Sequence, residues 1–348
     1  MKRVAIIFGG RSGEHEVSIV SARNVIGAID RSRWEPVPFG IDRAGGWLTP
    51  EQTWSQLDAG APRLQGGSPL LAAAEVLAEL QRCDVAFPLV HGTFGEDGTL
   101  QGFLELCGLP YAGCGVAASA IGMDKLLMKR LFAQAGIPVP RYLAFRSWEY
   151  GRRPEEAHRW VVQALGLPCF VKPANGGSSV GVSLVEREEQ LPAAFSAAFA
   201  YGEVALVEER IAGQEVECSL LGNEDVEVSL PGEIVPDRAF YDYESKYAPD
   251  SKSTLHIPAR LSPAVRERVR QLAVAMFRAI GGEGYARADL FVRGEQVFAN
   301  EVNTIPGFTD VSMFPKLWEA SGLPYGELLN RVLDLALARQ ARREGGGR

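Results

Sequence analysis

The order of apolar runs and turn residues predicts a mixed α/β and α+β chain, with a doubly wound parallel-sheet domain at its N-terminus. The chain opens with the continuous apolar run Val4 to Phe8, which is typical of a strand buried on both faces of a parallel sheet. A glycine turn and a helical pattern follow it. The same alternation continues through roughly the first 120 residues, as in doubly wound domains. Beyond them, strands and helices mix as in smaller α+β units.

The elements of the first region follow from periodicity and turn residues. After the first strand, a helix is predicted from about Glu16 to Ile29. The remaining elements of this region, in chain order, are a strand near Pro36 to Ile41, a helix near Pro69 to Leu80, a strand at Asp84 to Leu89 and a helix near Gly98 to Cys107.

A capped helix opens the middle of the chain. Asp124 caps a segment from Lys125 to Ala135, in which Leu127 and Leu131 recur at helical spacing. A glycine and a proline end this helix. The elements predicted after it are strands at Pro140 to Phe145, Cys169 to Lys172, Val180 to Val185 and Val204 to Glu208, with helices near Pro154 to Leu165 and Glu188 to Ala200.

The last third of the chain holds a long polar segment, residues 237–256. It contains three tyrosines and two lysines in FYDYESKYAPDSKS. A loop this long in a compact domain is either functional or disordered, and tyrosines are uncommon in disordered linkers. We therefore expect a functional segment. The elements predicted around it are strands at Glu215 to Leu221 and Val226 to Leu230, a helix near Pro263 to Ile280, strands at Tyr285 to Val292 and Gln296 to Val302, and closing helices.

Composition favours a soluble globular protein of two or three domains. The chain has 348 residues, 46% of them hydrophobic, and a net charge of −7, which gives no basic surface for nucleic acid. No apolar stretch reaches the length that spans a bilayer, and the N-terminal apolar run is too short for a signal peptide. The five cysteines form no CxxC pair. This disfavours a disulfide framework or a zinc site and favours a reducing cytoplasm.

The predicted C-terminal hairpin carries a cluster of polar side chains. Arg287 and Asp289 lie two apart on one strand, and Glu301 and Asn303 lie two apart on the next, so each pair shares a face. A three-residue loop, Gly294 to Gln296, sets Asp289 opposite Glu301 and Arg287 opposite Asn303. Two carboxylates and an amide oxygen are ligands that Mg²⁺ prefers. The spacing alone leaves open an ordinary solvent-facing hairpin with charges paired across the strands.

A glycine- and serine-rich loop follows the strand that ends in Lys172. Residues 173–181, PANGGSSVG, offer backbone N–H groups and hydroxyls to phosphate oxygens, and Lys172 adds a positive charge. The loop lacks the Gly-Lys-Ser/Thr ending of a P-loop, and a flexible hairpin turn remains the alternative. Lys125, at the start of a helix, is a second lysine where a phosphate could meet free N–H groups. A solvated lysine is the alternative there.

Two further motifs follow strand ends. Glu14, His15 and Glu16, in GGRSGEHEVS, lie at the carboxyl end of a strand, where α/β folds bind ligands. The motif is not GxGxxG, so dinucleotide binding is weakly supported, and acids also favour a helix N-terminus because of its dipole. His91, in PLVHGTFGED, follows another strand. A lone histidine is more often structural than catalytic.

These motifs occur together, and in order, in one family. The combination of GGRSGEHEVS, VHGTFGEDGTLQG, MDK, KPANGGSSVG, FYDYESKY, ARADLF and NEVNTIPGFT resembles the D-alanine–D-alanine ligases, an ATP-grasp family, from Val4 to about Leu337. The resemblance implies a two-part ATP-grasp fold after the N-terminal doubly wound domain. The implied division is a substrate-binding domain at 1–122, a central lid domain at 123–213 and a catalytic domain at 214–348.

The resemblance also implies an activity. It is the ATP-dependent, ADP-forming ligation of two D-alanines to D-alanyl-D-alanine through an acyl phosphate, for peptidoglycan precursor synthesis in the cytoplasm. The alternatives are another ATP-grasp carboxylate–amine ligase or a D-alanine–D-lactate ligase, and Tyr247 favours the peptide product. A non-catalytic protein on this fold is expected to lack Arg287 or a metal ligand, and none is missing. The implied cofactors are ATP and two Mg²⁺ ions, with Mn²⁺ as a substitute and a monovalent cation left open. The implied assembly is a homodimer.

The roles of individual residues are likewise implied by the resemblance, first for ATP and its metal ions and then for the amino acids. Lys125 and Lys172 contact the phosphates, and Ser179 lies near the γ-phosphate. Glu208 binds adenine, and Glu215 binds ribose. The metal ions are held by Asp289, Glu301 and Asn303. Glu14, Ser178 and Tyr247 hold the ammonium of the first D-alanine, Lys246 and Ser312 meet the carboxylate of the second with His91 nearby, and Arg287 and the N–H of Gly307 stabilise the oxyanion.

Overall fold

A parallel sheet of three strands forms the N-terminal part of this computed structural model, which describes residues 1–177, 179–235 and 254–345. Strand β1 (Lys2–Gly9) lies between β2 (Trp34–Ile41) and β3 (Val85–Pro88). Alternate residues of β1 enter two different cores, with Val4, Ile6 and Phe8 on one face and Ala5 and Ile7 on the other. The sheet is therefore covered on both faces, and the predicted doubly wound arrangement is confirmed.

Helices of the N-terminal region match the sequence prediction in part. The helix predicted near Pro69 to Leu80 is a short 3-10 turn, Leu70–Ala72, followed by a shorter α-helix. A helix that the prediction missed begins after Thr49, whose hydroxyl accepts from the N–H of Gln52 in a capping box. The helices of this region are α1 (His15–Ala28), α2 (Pro50–Asp58), α3 (Ala74–Leu80), α4 (Thr99–Leu106) and α5 (Val116–Met123).

The central region is a four-stranded antiparallel sheet with helices packed on it. Its strands run in the order β4-β7-β5-β6, and they share one core with the helices around them. Helix α7 was not predicted. The elements are α6 (Lys125–Gln134), β4 (Tyr142–Arg146), α7 (Ser147–Arg152), α8 (Pro154–Ala164), β5 (Cys169–Pro173), β6 (Ser183–Val185), α9 (Leu191–Phe199) and β7 (Val204–Glu209).

The C-terminal region is built on an antiparallel sheet ordered β11-β10-β8-β12-β13, with β9 paired to β8. The prediction missed β10 and β11, and β11 corrects the end of the predicted polar loop. The rest of that loop, residues 236–253, lies outside the described residues. The elements are β8 (Gln214–Gly222), β9 (Glu227–Val228), β10 (Gly232–Val235), β11 (Thr254–His256), α10 (Pro263–Ala279), β12 (Gly284–Arg293), β13 (Gln296–Asn303), α11 (Met313–Ala320) and α12 (Tyr325–Gly345).

The β12–β13 hairpin has the predicted register for an unpredicted reason. Arg293 pairs with Gln296, so the turn is one residue shorter than the predicted loop. A register shift beyond Asp289 leaves Asn300 as the extra residue of a β-bulge. The shorter turn and the bulge compensate each other. Asp289 therefore pairs with Glu301, and Arg287 pairs with Asn303, as predicted.

The N-terminal and C-terminal regions share a core. Phe8 and Phe87 of the N-terminal sheet belong to the same cluster as Tyr285, Phe308 and Phe314. Near the end of α12, the buried Arg339 guanidinium donates to the carbonyls of Tyr111 and Gly113, each at 2.6 Å. These hydrogen bonds hold the loop before α5 against α12. None of the helices within the described ranges is long and apolar enough to cross a membrane.

Candidate active site

Two clefts meet where the three sheets approach one another. The larger cleft, of about 480 Å³, lies between the central and C-terminal sheets, and the smaller cleft, of about 130 Å³, lies against the N-terminal sheet. Their shared wall includes Lys125, Gly176, Glu217 and Glu301. The described residues to which the resemblance assigns a role line at least one cleft: Lys172, Ser179, Glu208, Glu215 and Asp289 the larger one, Glu14, His91, Arg287, Asn303, Gly307 and Ser312 the smaller one, and Lys125 and Glu301 both.

Arg287 is held by two carboxylates on the C-terminal sheet. Its Nε and Nη2 donate to the two oxygens of Asp289, each at 2.7 Å, and its Nε lies 3.1 Å from Glu217 Oε2 on the neighbouring strand β8. Burial opposes the charge of Arg287, but the two carboxylates outweigh it and raise its pKa well above the ordinary value. A permanent cation therefore lies at the junction of the clefts.

The three predicted metal ligands all have protein partners. Asp289 accepts from Arg287, Glu301 lies 3.3 Å from Lys125 Nζ, and the Asn303 amide oxygen accepts from the Ile305 N–H at 3.1 Å. Among the described residues, no group of three or more His, Cys, Asp or Glu side chains is arranged for a metal ion. The donor chemistry nevertheless fits a hard divalent cation, because two carboxylates and an amide oxygen lie on one face of the β12–β13 hairpin, with Asp289 paired to Glu301.

The glycine- and serine-rich loop lies next to the start of helix α6. Lys125 Nζ donates to the carbonyl of Gly176 at 2.7 Å, and the Lys125 N–H donates to the carbonyl of Ala174. Gly176 and Ser179 both have positive φ, which is rare for serine. The loop is thus fixed beside the first turn of a helix, an arrangement that suits an anion. Ser178 lies outside the described residues.

A fully buried lysine, Lys129, was missed by the sequence analysis. Its Nζ lies 2.8 Å from Glu208 Oε1, and Lys172 Nζ lies 2.7 Å from Glu208 Oε2. Burial alone would raise the pKa of Glu208, but the two lysines outweigh it and lower the pKa to about 2. The buried side chains of α6 are Met128, Lys129 and Phe132. The leucine spacing correctly indicated this helix, although Leu127 itself is exposed.

The turn after β1 carries Glu14 into the smaller cleft. His15 is fully buried, and its Nε2 accepts from the Leu64 N–H, so its Nδ1 donates to the Gly10 carbonyl. This histidine is structural and fixes the turn from both sides. Glu16 is ion-paired with Arg43 and Arg63 and lines neither cleft. Of the three candidates in this motif, only Glu14 reaches the site.

His91 presents an acceptor to the smaller cleft. Its Nδ1 lies 3.0 Å from the Ile305 carbonyl, which can only accept, so Nδ1 carries the proton and Nε2 carries the lone pair. Nε2 is buried and has no hydrogen-bond partner within the described residues. Burial lowers the pKa of His91, although Glu14 and the Ile305 carbonyl partly oppose this. A neutral imidazole with a free lone pair therefore faces the cleft.

Glu96 is a second residue that sequence reasoning missed. It lines the smaller cleft with Glu14, and its Oε2 accepts from the Gly92 N–H at 2.7 Å. Burial and the neighbouring Glu14 charge raise the pKa of Glu96 to about 8. The only signal in the sequence was its position five residues after His91, in the same loop.

The first turn of helix α11 forms the far wall of the smaller cleft. Ser312 is the N-cap, and its hydroxyl accepts from the Thr309 N–H at 3.1 Å. A Cβ added at Gly307 would lie 2.6 Å from Ser312 Oγ, so glycine permits this close approach. The helix N-terminus favours an anionic group here. Lys246 and Tyr247, the other candidates for the amino-acid substrates, lie outside the described residues.

Comparison with known proteins identifies the family. The model of the D-ala D-ala ligase N-terminus matches residues 3–114, and the model of the D-ala D-ala ligase C-terminus matches residues 131–334. This chain belongs to the D-alanine–D-alanine ligase family. It is 45% identical over 337 residues to the D-alanine–D-alanine ligase of Halothermothrix orenii, covering 96% of this chain and 98% of that one. The corresponding protein of Heliobacterium modesticaldum is 46% identical over 352 residues, covering 97% and 94%.

Solved structures agree with this family assignment. The D-Ala:D-Ser ligase VanG from Enterococcus faecalis superposes with a TM-score of 0.83 at 34% identity, covering 96% of this chain and 99% of that one. The D-alanine–D-alanine ligase from Coxiella burnetii gives a TM-score of 0.82 at 33% identity, covering 99% and 98%. The predicted resemblance and the predicted fold, a doubly wound N-terminal domain followed by a two-part ATP-grasp fold, are confirmed for this D-alanine–D-alanine ligase family member.

Proposed function

We propose that this chain joins two molecules of D-alanine into D-alanyl-D-alanine, with conversion of ATP to ADP and phosphate, as a step in making peptidoglycan precursors. The observation that carries the proposal is the shared wall of the two clefts. It contains Lys125, Glu217 and Glu301, with Arg287 beside it. A nucleotide in the larger cleft and amino acids in the smaller one would meet at this wall, where the charges needed for acyl transfer already lie.

ATP occupies the larger cleft in this proposal. Lys125 and Lys172 supply positive charge to the phosphates, and Ser179 in the positive-φ loop lies toward the γ-phosphate. Glu208 lies on the adenine side and Glu215 on the ribose side. The Glu208 carboxylate is shared between Lys129 and Lys172, so any contact with adenine is made by an anion that is already paired.

The enzyme uses ATP together with a divalent metal ion. We propose two Mg²⁺ ions, replaceable by Mn²⁺, held by Asp289, Glu301 and Asn303. When bound, such ions neutralise charge that builds on the transferring phosphoryl group. Arg287 keeps Glu217 as a second anchor when Asp289 takes another partner. A monovalent cation as a further cofactor stays a proposal.

The first step activates the first D-alanine. Its carboxylate oxygen attacks the γ-phosphorus, the bond from phosphorus to the bridging oxygen breaks, and ADP leaves an acyl phosphate behind. Glu14, with Ser178 and Tyr247, holds the ammonium group and so aims the carboxylate at the shared wall. Lys125 and Lys172 are already in place to offset the negative charge on the transferring phosphoryl group, and this lowers the barrier of the step.

The second step forms the peptide bond. The amine of the second D-alanine attacks the acyl carbon, a tetrahedral oxyanion forms, and phosphate leaves. Arg287 and the Gly307 N–H stabilise the oxyanion, and one such donor is worth about 3 kcal/mol. The amine reaches the site as an ammonium ion and must lose a proton to attack. The buried His91 Nε2 lone pair is an acceptor within the cleft for that proton.

The second substrate is recognised through its carboxylate. Ser312 at the N-terminus of α11 and Lys246 bind this group, because a helix N-terminus favours an anion. The near-equal TM-scores of a D-Ala:D-Ser ligase and a D-alanine–D-alanine ligase mean that the fold alone does not select the second substrate. Higher identity to curated D-alanine–D-alanine ligases favours D-alanine. D-lactate, or another carboxylate–amine pair, is the competing proposal.

The proposal extends to organisation and place. The chain divides into a substrate-binding domain at 1–122, a lid domain at 123–213 and a catalytic domain at 214–348, works as a homodimer and resides in the cytoplasm. The separate core of the central sheet supports the lid domain of this division. Partners other than ATP and D-alanine are not needed for the reaction.

One experiment tests the proposal directly. The purified protein is supplied with Mg-ATP and D-alanine, with D-serine or D-lactate added as competitors, and the products are measured by mass spectrometry. We expect ADP in an amount equal to the sum of all ligated products, with D-alanyl-D-alanine exceeding the mixed products. Dominance of a D-serine or D-lactate product would reassign the second substrate. ADP formation without a ligated product from any of these acceptors would overturn the ligase proposal.

A further inference from the structure

We infer that Lys129 is a positioning residue whose charge offsets Glu208 and thereby leaves Lys172 with a net positive charge for the phosphates of ATP. The inference rests on the proposed use of the larger cleft by ATP. Lys129 lines neither cleft and is fully buried. It therefore acts on a ligand only through the side chains that it contacts.

The geometry joins three elements at one carboxylate. Lys129 approaches from helix α6, Lys172 lies on β5, and Glu208 lies on β7 between them. Glu208 is 3% exposed and uses a different oxygen for each lysine, at 2.8 Å for Lys129 and 2.7 Å for Lys172. Lys129 Nζ also lies 6.0 Å from the centre of the Tyr142 ring. Lys172 and Glu208 reach the cleft, whereas Lys129 lies behind them.

The charge balance of this triad decides what a phosphate encounters. Burial lowers the pKa of Lys129, and the contact with the Glu208 carboxylate opposes this. With both lysines as ammonium groups and Glu208 as a carboxylate, the triad has a net charge of about +1. Without Lys129, Glu208 would neutralise Lys172 at contact distance, and the pair would attract phosphate far less. The lowered pKa of Glu208 means that its carboxylate stays ionised over the working range of pH, so protonation does not relieve this neutralisation.

A purely structural role makes different predictions. Lys129 also connects α6, whose Met128 and Phe132 pack in the C-terminal core, to the central sheet that carries Glu208. If that connection were its only role, removing Lys129 would disturb the whole larger cleft. Adenosine, which has no phosphate, would then lose affinity together with ATP.

The test compares the affinities of ATP and adenosine, measured by calorimetry on the full chain without D-alanine. Lys129→Met is expected to weaken ATP binding about tenfold while adenosine affinity changes less than about twofold. Adding Glu208→Gln removes the anion and should restore the ratio of ATP affinity to adenosine affinity to within about threefold of the parent ratio, since any loss of an adenine contact affects both ligands. Lys129→Arg should retain ATP affinity. Arg130→Met, an exposed position on the same helix, is the matched control and should change neither.

The outcomes separate the two roles. Equal loss of ATP and adenosine affinity, or no recovery in the Lys129→Met/Glu208→Gln double variant, would overturn the inference. Thermal unfolding shows whether each variant is folded, and Lys129→Gln replaces Lys129→Met if the latter is not. Ligation of D-alanine by the parent is measured separately, so failure of the proposed function is distinguished from failure of the role of Lys129.

Discussion

Two charge clusters lie on the two sides of the larger cleft, one on the central sheet and one on the C-terminal sheet, and their net charges have opposite signs. The cluster of Lys129, Lys172 and Glu208 on the central sheet has an excess of positive charge. The cluster on the C-terminal sheet has an excess of negative charge, because its carboxylates outnumber its cations. Its members are Glu217, Asp289, Glu301, Arg287 and Lys125. The positive side suits phosphate and the negative side suits metal cations.

The two clusters also differ in how well the amino-acid sequence predicts them. Strand side chains alternate with period two, so the shared face of Arg287 and Asp289 follows from their spacing alone. The triad on the central sheet joins a helix to two strands. Nothing local in the sequence indicates that Lys129 meets Glu208, which is 79 positions further along the chain.

The largest expected effect comes from breaking the negative side. Glu301→Gln removes a carboxylate proposed to bind metal ions and should lower kcat by at least roughly 10³, since the phosphoryl charge loses its counterion. The far-ultraviolet circular dichroism spectrum should be unchanged. Glu295→Gln, in the exposed turn of the same hairpin, is the matched control and should be silent. Parental turnover of Glu301→Gln at saturating Mg²⁺ would contradict the metal assignment.

A somewhat smaller effect is expected at the cation within that negative cluster. Arg287→Lys keeps the charge but loses the planar group that bridges Asp289 and Glu217. We expect kcat to fall roughly 10²–10³-fold, the scale of a lost oxyanion donor. Steady-state kinetics with D-alanine would measure it. If only KM changes, Arg287 binds substrate without stabilising the transition state.

More of the fold than of the site could be predicted from the sequence. Apolar runs and turn residues located β1, β2, β3, β12 and β13, and the family motifs located most of the residues that line the clefts. Helix α6 shows the limit of periodicity: its leucine spacing marked Leu127, which is exposed, while Lys129 occupies the buried face. A lysine can lie on the buried face of this helix, against the apolar pattern, because a carboxylate from another element offsets the cost of burying its charge. Such long-range compensation has no local signature.

A substitution in the smaller cleft is expected to have a smaller effect than those in the two charge clusters. Gly307→Ala places a Cβ within 2.6 Å of Ser312 Oγ and should push that hydroxyl away from the N-terminus of α11. We expect KM for the second D-alanine to rise about tenfold with little change in KM for ATP, because a hydrogen bond to a charged group is worth about 1.5–3 kcal/mol. Gly102→Ala, where a Cβ meets nothing within 4 Å, is the control. An equal change in both KM values would place the disturbance outside the amino-acid site.

The smallest expected effect concerns Glu96 and the pH dependence of stability. Its pKa is about 8 in the folded protein and 4.5 as the ordinary value, so between these values the folded state holds a proton that the unfolded state has lost. The contribution of Glu96 to stability therefore falls as pH rises through this window. Glu14, His91, Arg287 and Glu301 surround the same cleft.

Glu96→Gln should remove this dependence, because an amide stays neutral and its oxygen can still accept from the Gly92 N–H. The free energy of unfolding, measured with urea, should fall by on the order of 1 kcal/mol more for the parent than for the variant between about pH 7 and pH 9. Glu75→Gln, an exposed position on α3, should follow the parent. If the pH curves of the parent and Glu96→Gln are parallel, Glu96 is already ionised in the free protein. Glu96 and Glu14 would then both offer a carboxylate to the ammonium group of the first D-alanine.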